Sequence, residues 1–343
     1  MVGSMSATPL QAGLKTLQLT EPFRIAHGTS TERQVLRLRW NGAVGEAPVV
    51  PYYKESAAVT LEWLQALDWN GSPAPKDGPR LGRLALDLLW HDAVGREKGQ
   101  TLGQLLHLDP AQTPPGCRSF SIPTDLEEFA KKVAQVSRQF QVLKLKTGSG
   151  NVEFDEAIVA TARKAAPDAK LLVDANGGWT VEETVAILPK LAKYDLTLVE
   201  QPFHHDGGSE SWRELKYLLP SHSIPLYADE SAQGPDDVLT LAGLVDGVNV
   251  KLLKCGSIAE AQTMIRFARA SRMGVLLGCM IESSIGVTAA AHLAPLADWI
   301  DLDGHLYVAD DDYQGVSYDE QGRLQLRDLP GLGVTSLADG SPS

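Results

Sequence analysis

Three carboxylates in this chain each close a short apolar run: Asp174 in LLVDANGGW, Glu200 in LTLVEQPF and Asp229 in IPLYADES. Lysines bracket them, Lys144 and Lys146 in KLKTG before and Lys251 in NVKLLKCG after. An ionisable residue at the end of a buried strand is costly unless it is paired or put to use. From Lys146 the steps are 28, 26, 29 and 22 residues, to positions 174, 200, 229 and 251. One strand plus one helix fills that interval. The pattern predicts consecutive βα units with their charged residues gathered at the C-terminal ends of parallel strands.

The rest of the chain extends this reading. From residue 117, strands are expected in CRSFSI, QVLKLK, AKLLVD, LTLVE, IPLYA, GVNVK, MGVLLGC and WIDLD. Amphipathic stretches such as LEEFAKKVAQVSRQF and EFDEAIVATARKAA separate them, with apolar residues at helical spacing. Capping boxes at Thr124-x-x-Glu127 and Thr180-x-x-Glu183 mark two helix starts. Eight such units close a barrel more naturally than an open sheet, and no GxGxxG follows a strand. Residues up to about 115 differ: VLRLRW before Asn41-Gly42 predicts a hairpin, GEAPVVPYYKES a loop, and LEWLQAL and GRLALDLLWHDAVGREKG helices. That is a small α+β unit, and TPPG at 113–116 marks its end.

A net charge of −12 argues against nucleic acid or an anionic membrane as partner. Three widely spaced cysteines form no CxxC and suit a reducing compartment. The start MVGSMSATPLQ has neither a basic nor an apolar signal region. A cytoplasmic protein is expected. A homo-oligomer is compatible with the sequence and not specified by it.

Carboxylates from three adjacent strands supply one face of the oxygen octahedron that Mg²⁺ prefers and leave the other face open. The polar residues that follow them, Asn176, Gln201 and Glu230, are placed to orient them. Any one acid alone reads equally as a strand-end or helix N-cap residue. Three in this order between lysines do not.

KLKTG, VDANGGW, VEQPF, ADES, NVKLLKCGS and GCMIESSIG resemble the successive barrel motifs of the enolase superfamily, in its muconate lactonizing enzyme subgroup. FRIAHGTSTE, GEAPVV and ALDLLWHDAVGREKG resemble that subgroup's capping domain. The resemblance implies an α/β fold, a modified (β/α)7β TIM barrel at 116–310 under an α+β cap at 1–115. Residues 311–343 would return to the cap. It further implies that Asp174, Glu200 and Asp229 bind Mg²⁺, that Lys146 and Lys251 are the acid/base pair, and that Lys144 assists them electrostatically. In this superfamily a lysine or histidine base works beside Mg²⁺ through an enediolate.

The chemistry is consistent with elementary acidity. Removing a proton α to a carboxylate puts a second negative charge on that carboxylate, so a cation held against it favours the transition state. A lysine must be neutral to act as base, and burial with neighbouring cations lowers its pKa. In KLK the two lysines are i and i+2, hence on one face of a strand. Two bases on opposite sides of a carbon permit inversion.

The last strand, WIDLDGHLY, brings Asp301 and Asp303, again i and i+2. In the subgroup's dipeptide epimerases a DxD here binds the substrate ammonium, so the resemblance implies a dipeptide substrate. The plain reading is a strand-end turn. Epimerases of Ala-Glu often carry an arginine in the FxIAxG loop; this chain reads FRIAHG there, with Arg24 three residues before His27. His27, Tyr52 and Tyr53 are the candidates for contact with the substrate side chain. His204-His205 and the run Asp310-Asp311-Asp312 read as solvated loops, and Cys255 and Cys279 as packing residues. The alternatives are another member of the subgroup (cycloisomerase, o-succinylbenzoate synthase or N-acylamino acid racemase) and a binding protein without catalysis. Cycloisomerases and o-succinylbenzoate synthases have no need for the DxD pair, and a binding protein no need for two inverting bases.

Overall fold

The computed structural model describes residues 9–50, 53 and 55–337; Tyr52 lies outside them. The chain begins with an antiparallel sheet of β1 (Gln11–Ile25), β2 (Gly28–Trp40) and β3 (Ala43–Val49). Asn41 and Gly42, with φ of 48° and 78°, make the expected tight turn between β2 and β3. GEAPV, read from its glycine and proline as loop, is instead β3, because Val44 and Ala47 are buried while Arg37 of β2 neutralises Glu46. Helices α1 (Ala57–Ala66), α2 (Arg80–Lys98) and α3 (Leu102–Leu105) follow. Helix α2 packs on β3 so closely that a Cβ on Gly45 would lie 2.1 Å from the Ala85 carbonyl oxygen.

Strands and helices then alternate: β4 (Cys117–Phe120), α4 (Leu126–Val136), β5 (Val142–Lys146), α5 (Val152–Ala165), β6 (Lys170–Asp174), α6 (Val181–Leu191), β7 (Leu196–Glu200) and α7 (Gly208–Leu218). The second half runs β8 (Leu226–Ala228), α8 (Pro235–Leu241), β9 (Gly247–Val250), α9 (Leu252–Cys255), α10 (Ile258–Ala270), β10 (Gly274–Gly278), α11 (Ser284–Ala291) and β11 (Trp299–Asp301). The strands form one parallel sheet in chain order from β4 to β11. This is a TIM barrel in which the first and last strands meet through side chains: Ser119 of β4 donates to Asp301 Oδ1 at 2.7 Å, and Arg118 to Asp303 Oδ2 at 2.9 Å. Helix α6 starts at the expected Thr180–Glu183 capping box. Helix α4 does not start at Thr124; Asp125 is its cap, because its carboxylate accepts two amide protons, from Glu127 and Glu128, at a positive helix terminus.

Alternation sets the interior. Val142, Leu172, Leu198, Tyr227 and Leu276 form an apolar plug inside the barrel, while neighbours such as Leu143, Val173 and Val199 face the helices. Two residues beyond Val142, Leu172, Leu198 and Tyr227 the inward positions are charged, at Lys144, Asp174, Glu200 and Asp229, whereas β10 ends there on Gly278. Beyond β11, short pairs join β12 (Tyr313–Gln314) to β15 (Thr335–Ser336) and β13 (Ser317–Tyr318) to β14 (Leu324–Gln325).

The acidic run before β12 is a partly solvated loop, as expected, but its carboxylates are also engaged. Asp310 accepts the Gln18 amide proton, Asp311 those of Ser284 and Tyr313, and Asp312 pairs with Arg37 at 2.7 Å. Buried Asp92 accepts amide protons from both Val44 and Leu332. These bonds tie the last segment to the N-terminal sheet and to the barrel.

Candidate active site

Strand order alone distributes the charges. In a ring of eight, β5 and β9 stand four apart and face each other, and so do β7 and β11. Lys146 ends β5 and Lys251 follows β9, so the two lysines confront one another across the barrel mouth. Asp174, Glu200 and Asp229 close the three strands between them. Asp301 ends β11, opposite Glu200.

All three carboxylates are buried, with ligand oxygens within 4.8 Å of one another. Asp174 Oδ2 lies 2.6 Å from Lys146 Nζ and 3.0 Å from Lys144 Nζ. Asp229 Oδ2 lies 2.6 Å from Lys251 Nζ. Lys144, completely buried, also reaches Glu200 Oε2 and Asp301 Oδ2 at 2.7 Å each. Glu200 Oε2 is buried and meets the Lys144 ammonium without a well-aligned hydrogen bond. A buried, all-oxygen donor set of three converging carboxylates fits Mg²⁺, and Asp174, Glu200 and Asp229 are the residues that could hold it.

The electrostatics follow from this crowding. Burial works against the Asp174 carboxylate, but Lys144 and Lys146 outweigh it and lower its pKa to about 2. Burial, then the charge of Asp174, pushes Glu200 up to about 8. Burial opposes the Lys144 ammonium, yet Asp174, Asp301 and Glu200 together hold its pKa well above the ordinary value. Lys251 is raised likewise, by Asp229 against burial. The carboxylates alone therefore pull these two lysines opposite to the direction a base requires.

The residues after the acids are tightly placed. Asn176 (φ 45°) and Gln201 (φ 37°) adopt left-handed backbone, a local strain that packing must hold. The Asn176 amide donates to Asp174 Oδ1 at 2.9 Å, and its side chain to Glu230 Oε1 at 3.3 Å. Gln201 Oε1 accepts the Asp229 amide proton at 3.0 Å. Burial and Asp229 raise Glu230 to about 7.

A cavity of about 510 Å³ opens above these groups, a size suited to a small molecule. Lys146, Lys251, Asn176, Asp301 and Asp303 line it from the barrel; Phe23, Ile25, His27 and Val49 line it from the N-terminal sheet. His27 sits at the tip of the β1–β2 hairpin, where Ile25 pairs with Gly28. Burial, then His204 and His205, lower its pKa. Tyr53 is not among the cavity's lining residues; it borders a smaller recess beside Leu253, within electrostatic reach of Lys251. Asp301 and Asp303 both reach the cavity, but each already has partners: Lys144 and Ser119 for Asp301, Arg118 and the Ser119 amide for Asp303.

Several site residues escape a reading of the sequence. Lys254 is almost fully buried and donates to Asp229 Oδ1 and to the carbonyls of Asp229 and Asn249 at 2.6–2.7 Å. Its signal, a second lysine three after Lys251, does not distinguish burial from exposure. Asn249 donates to Glu200 Oε1 at 2.7 Å and stands i−2 to Lys251, an inward position that alternation could have singled out. Arg118 and Ser119 gave no signal, because their partners lie more than 180 residues away.

Residues 126–339 match the enolase C-terminal domain-like family. An L-Ala-D/L-Glu epimerase of Bacteroides thetaiotaomicron is 30% identical over 94% of this chain and 86% of its own length. A hydrophobic dipeptide epimerase of a Flavobacteria bacterium is 35% identical over 88% of this chain and 90% of its own. The crystal structure of an Enterococcus faecalis dipeptide epimerase, complexed with Mg and L-Leu-L-Tyr, superposes with a TM-score of 0.85 at 28% identity, covering 96% of this chain and all of that one. Fold, charge layout and sequence agree, and the chain belongs to the enolase C-terminal domain-like family.

Proposed function

We propose that this chain is a Mg²⁺-dependent dipeptide epimerase that inverts the α-carbon of the C-terminal residue by a two-lysine 1,1-proton transfer. The observation that carries the reading is the placement of Lys146 and Lys251 across one cavity, with three carboxylates between them and Asp301 opposite. Similarity to relatives named as dipeptide epimerases supports it.

Asp174, Glu200 and Asp229 would hold the metal ion, which would supply positive charge to stabilise a substrate carboxylate and would offset the pull of Asp229 on Lys251. One of Lys146 and Lys251 is neutral at Nζ and takes the α-proton; the other, as ammonium, returns a proton to the opposite face. Reversal of direction exchanges their protonation states. Lys144, bridging Asp174, Glu200 and Asp301, stays protonated and fixes the spacing between the carboxylate end and the ammonium end. Asp301 and Asp303 take the substrate's α-ammonium, a charge-assisted contact that adds a cation where two carboxylates share two. Residues 1–115, with 311–343 returning to them, form the cap over the barrel of 116–310 and limit water at the reacting carbon. A cytoplasmic location belongs to the same proposal and rests on three free cysteines.

The test is a dipeptide library incubated with enzyme and Mg²⁺ in ²H₂O and read by mass spectrometry. A subset of dipeptides should gain one deuterium, at the C-terminal residue's α-carbon. Absence of uptake in every dipeptide, with enzyme shown to be folded, contradicts the reading.

A further inference from the structure

Beside the all-oxygen cluster, a second group of metal-ligating side chains lies outside the proposed catalysis. His204, His205 and Asp206 follow β7 in sequence, and their ligand atoms lie within 4.8 Å of one another. His204 Nδ1 is 3.4 Å from Asp206 Oδ2, and His205 Nε2 is 3.8 Å from Asp206 Oδ1. The two imidazoles stack with ring centres 4.6 Å apart. His27, from the cap hairpin, sets its ring edge-on to His204 at 6.0 Å between centres. Adjacent residues alone would be a weak signal; a third imidazole arriving from a different part of the fold is not.

The backbone explains why these groups meet. The turn Asn176-Gly177-Gly178 has no side chains at its two glycines. A Cβ on Gly177 would lie 3.0 Å from the His204 Cα, and one on Gly178 would lie 2.8 Å from the Ala26 Cβ. The histidine loop and the hairpin tip therefore rest on the same small turn, and their separation is set by packing.

We propose that His27, His204, His205 and Asp206 form a site for a divalent transition ion of the zinc class, which ties the cap hairpin to the loop after β7 at the rim of the cavity. Three imidazole nitrogens and a carboxylate oxygen are the donor set of zinc, cobalt, nickel or copper, and not of magnesium. Two imidazoles on one zinc, with Zn–N of about 2.0–2.1 Å, hold their ring centres roughly 5–6 Å apart, so the observed spacings need only side-chain rotation. His204 is half exposed and Asp206 more so, which gives an ion an entry path. His27 lines the cavity, so an ion on it stiffens the rim and slows passage through it. The site stands whether or not the cavity takes a dipeptide.

Cu²⁺ and Zn²⁺ probe it on the full chain in excess Mg²⁺. The electron paramagnetic resonance spectrum of one bound Cu²⁺ should carry imidazole nitrogen couplings in the wild type and lose them in the double variant His204→Ala/His205→Ala. Zn²⁺ titrated by calorimetry should bind one equivalent that the double variant lacks, and His27→Ala should weaken it at least tenfold. Hydrogen exchange at the hairpin tip should slow on adding Zn²⁺ to the wild type only. Three results each overturn the proposal: Cu²⁺ without nitrogen couplings in the wild type, equal Zn²⁺ binding by the folded double variant, or His27→Ala binding with undiminished affinity and unchanged exchange at the tip.

Discussion

At the floor of the cavity the principal charged groups are buried and paired: Asp174 with two lysines, Asp229 with two more, and Glu200 with Lys144. At the rim, His27, His204 and Asp206 stand on exposed loops and a hairpin tip. The floor is set by strands whose alternation leaves no choice of face; the rim is set by turns resting on glycines. Chemistry that tolerates little displacement belongs on the first, and recognition that must vary among relatives belongs on the second.

The largest effect should come from breaking the floor. Asp229→Ala strands Lys251 and Lys254 as buried ammoniums, a change costing about 3–5 kcal/mol. Thermal unfolding should fall by several degrees, together with loss of α-proton exchange. An unchanged melting temperature would remove the contrast between floor and rim. Next, Asp301→Asn/Asp303→Asn should reduce kcat/KM for dipeptides by at least tenfold, as expected when a buried charged partner costs about 2–5 kcal/mol. An N-acylated substrate analogue, which lacks the ammonium, should be much less affected.

A third test lies away from both regions, where the barrel meets the N-terminal unit and the last segment. His292 of the barrel accepts a proton from the Gly103 amide and its other nitrogen meets the Leu332 carbonyl. Burial lowers its pKa from 6.5 to about 4. The unfolded chain takes up a proton near pH 6.5 while the folded chain resists until about 4. The unfolded state thus binds more protons in that window, and stability falls as pH falls through it, by on the order of 3 kcal/mol for one such group. The difference in unfolding free energy between wild type and His292→Gln should shrink from pH 7 to 4; a constant difference would refute the assignment. The smallest effect belongs to the rim: His27→Ala should shift the relative kcat/KM among dipeptides by about tenfold or less, with stability changed by under about 0.5 kcal/mol.

The sequence made the floor legible for the same reason that the floor is rigid. A strand-end acid every strand-plus-helix interval has one geometric reading, and KLK falls on an inward face by period two, whereas Asp303 reaches the cavity from the turn beyond β11. The barrel strands were expected where they occur. Contacts decided by distant partners were not legible. GEAPV became β3 because Arg37 and α2 accept it, and Asp310–Asp312 became a tether because Gln18, Ser284 and Arg37 wait for them. Arg118 on Asp303 and Lys254 on Asp229 belong to the same class, since neither spacing nor composition announces a partner beside a neighbouring strand. The one misplaced helix start, Thr124 against Asp125, reflects two adjacent residues that can both cap.

The central claim is inversion by two opposed lysines, and stereochemical exchange tests it most directly. A dipeptide found active, supplied separately as each epimer, is incubated in ²H₂O with wild type, Lys146→Ala or Lys251→Ala, and its α-proton is followed by NMR. The wild type should exchange and interconvert both epimers. Each variant should lose epimerisation by at least about 10²–10⁴-fold, with any residual exchange confined to one epimer, and to the opposite epimer in the other variant. Continued epimerisation near the wild-type rate in either variant would contradict the account.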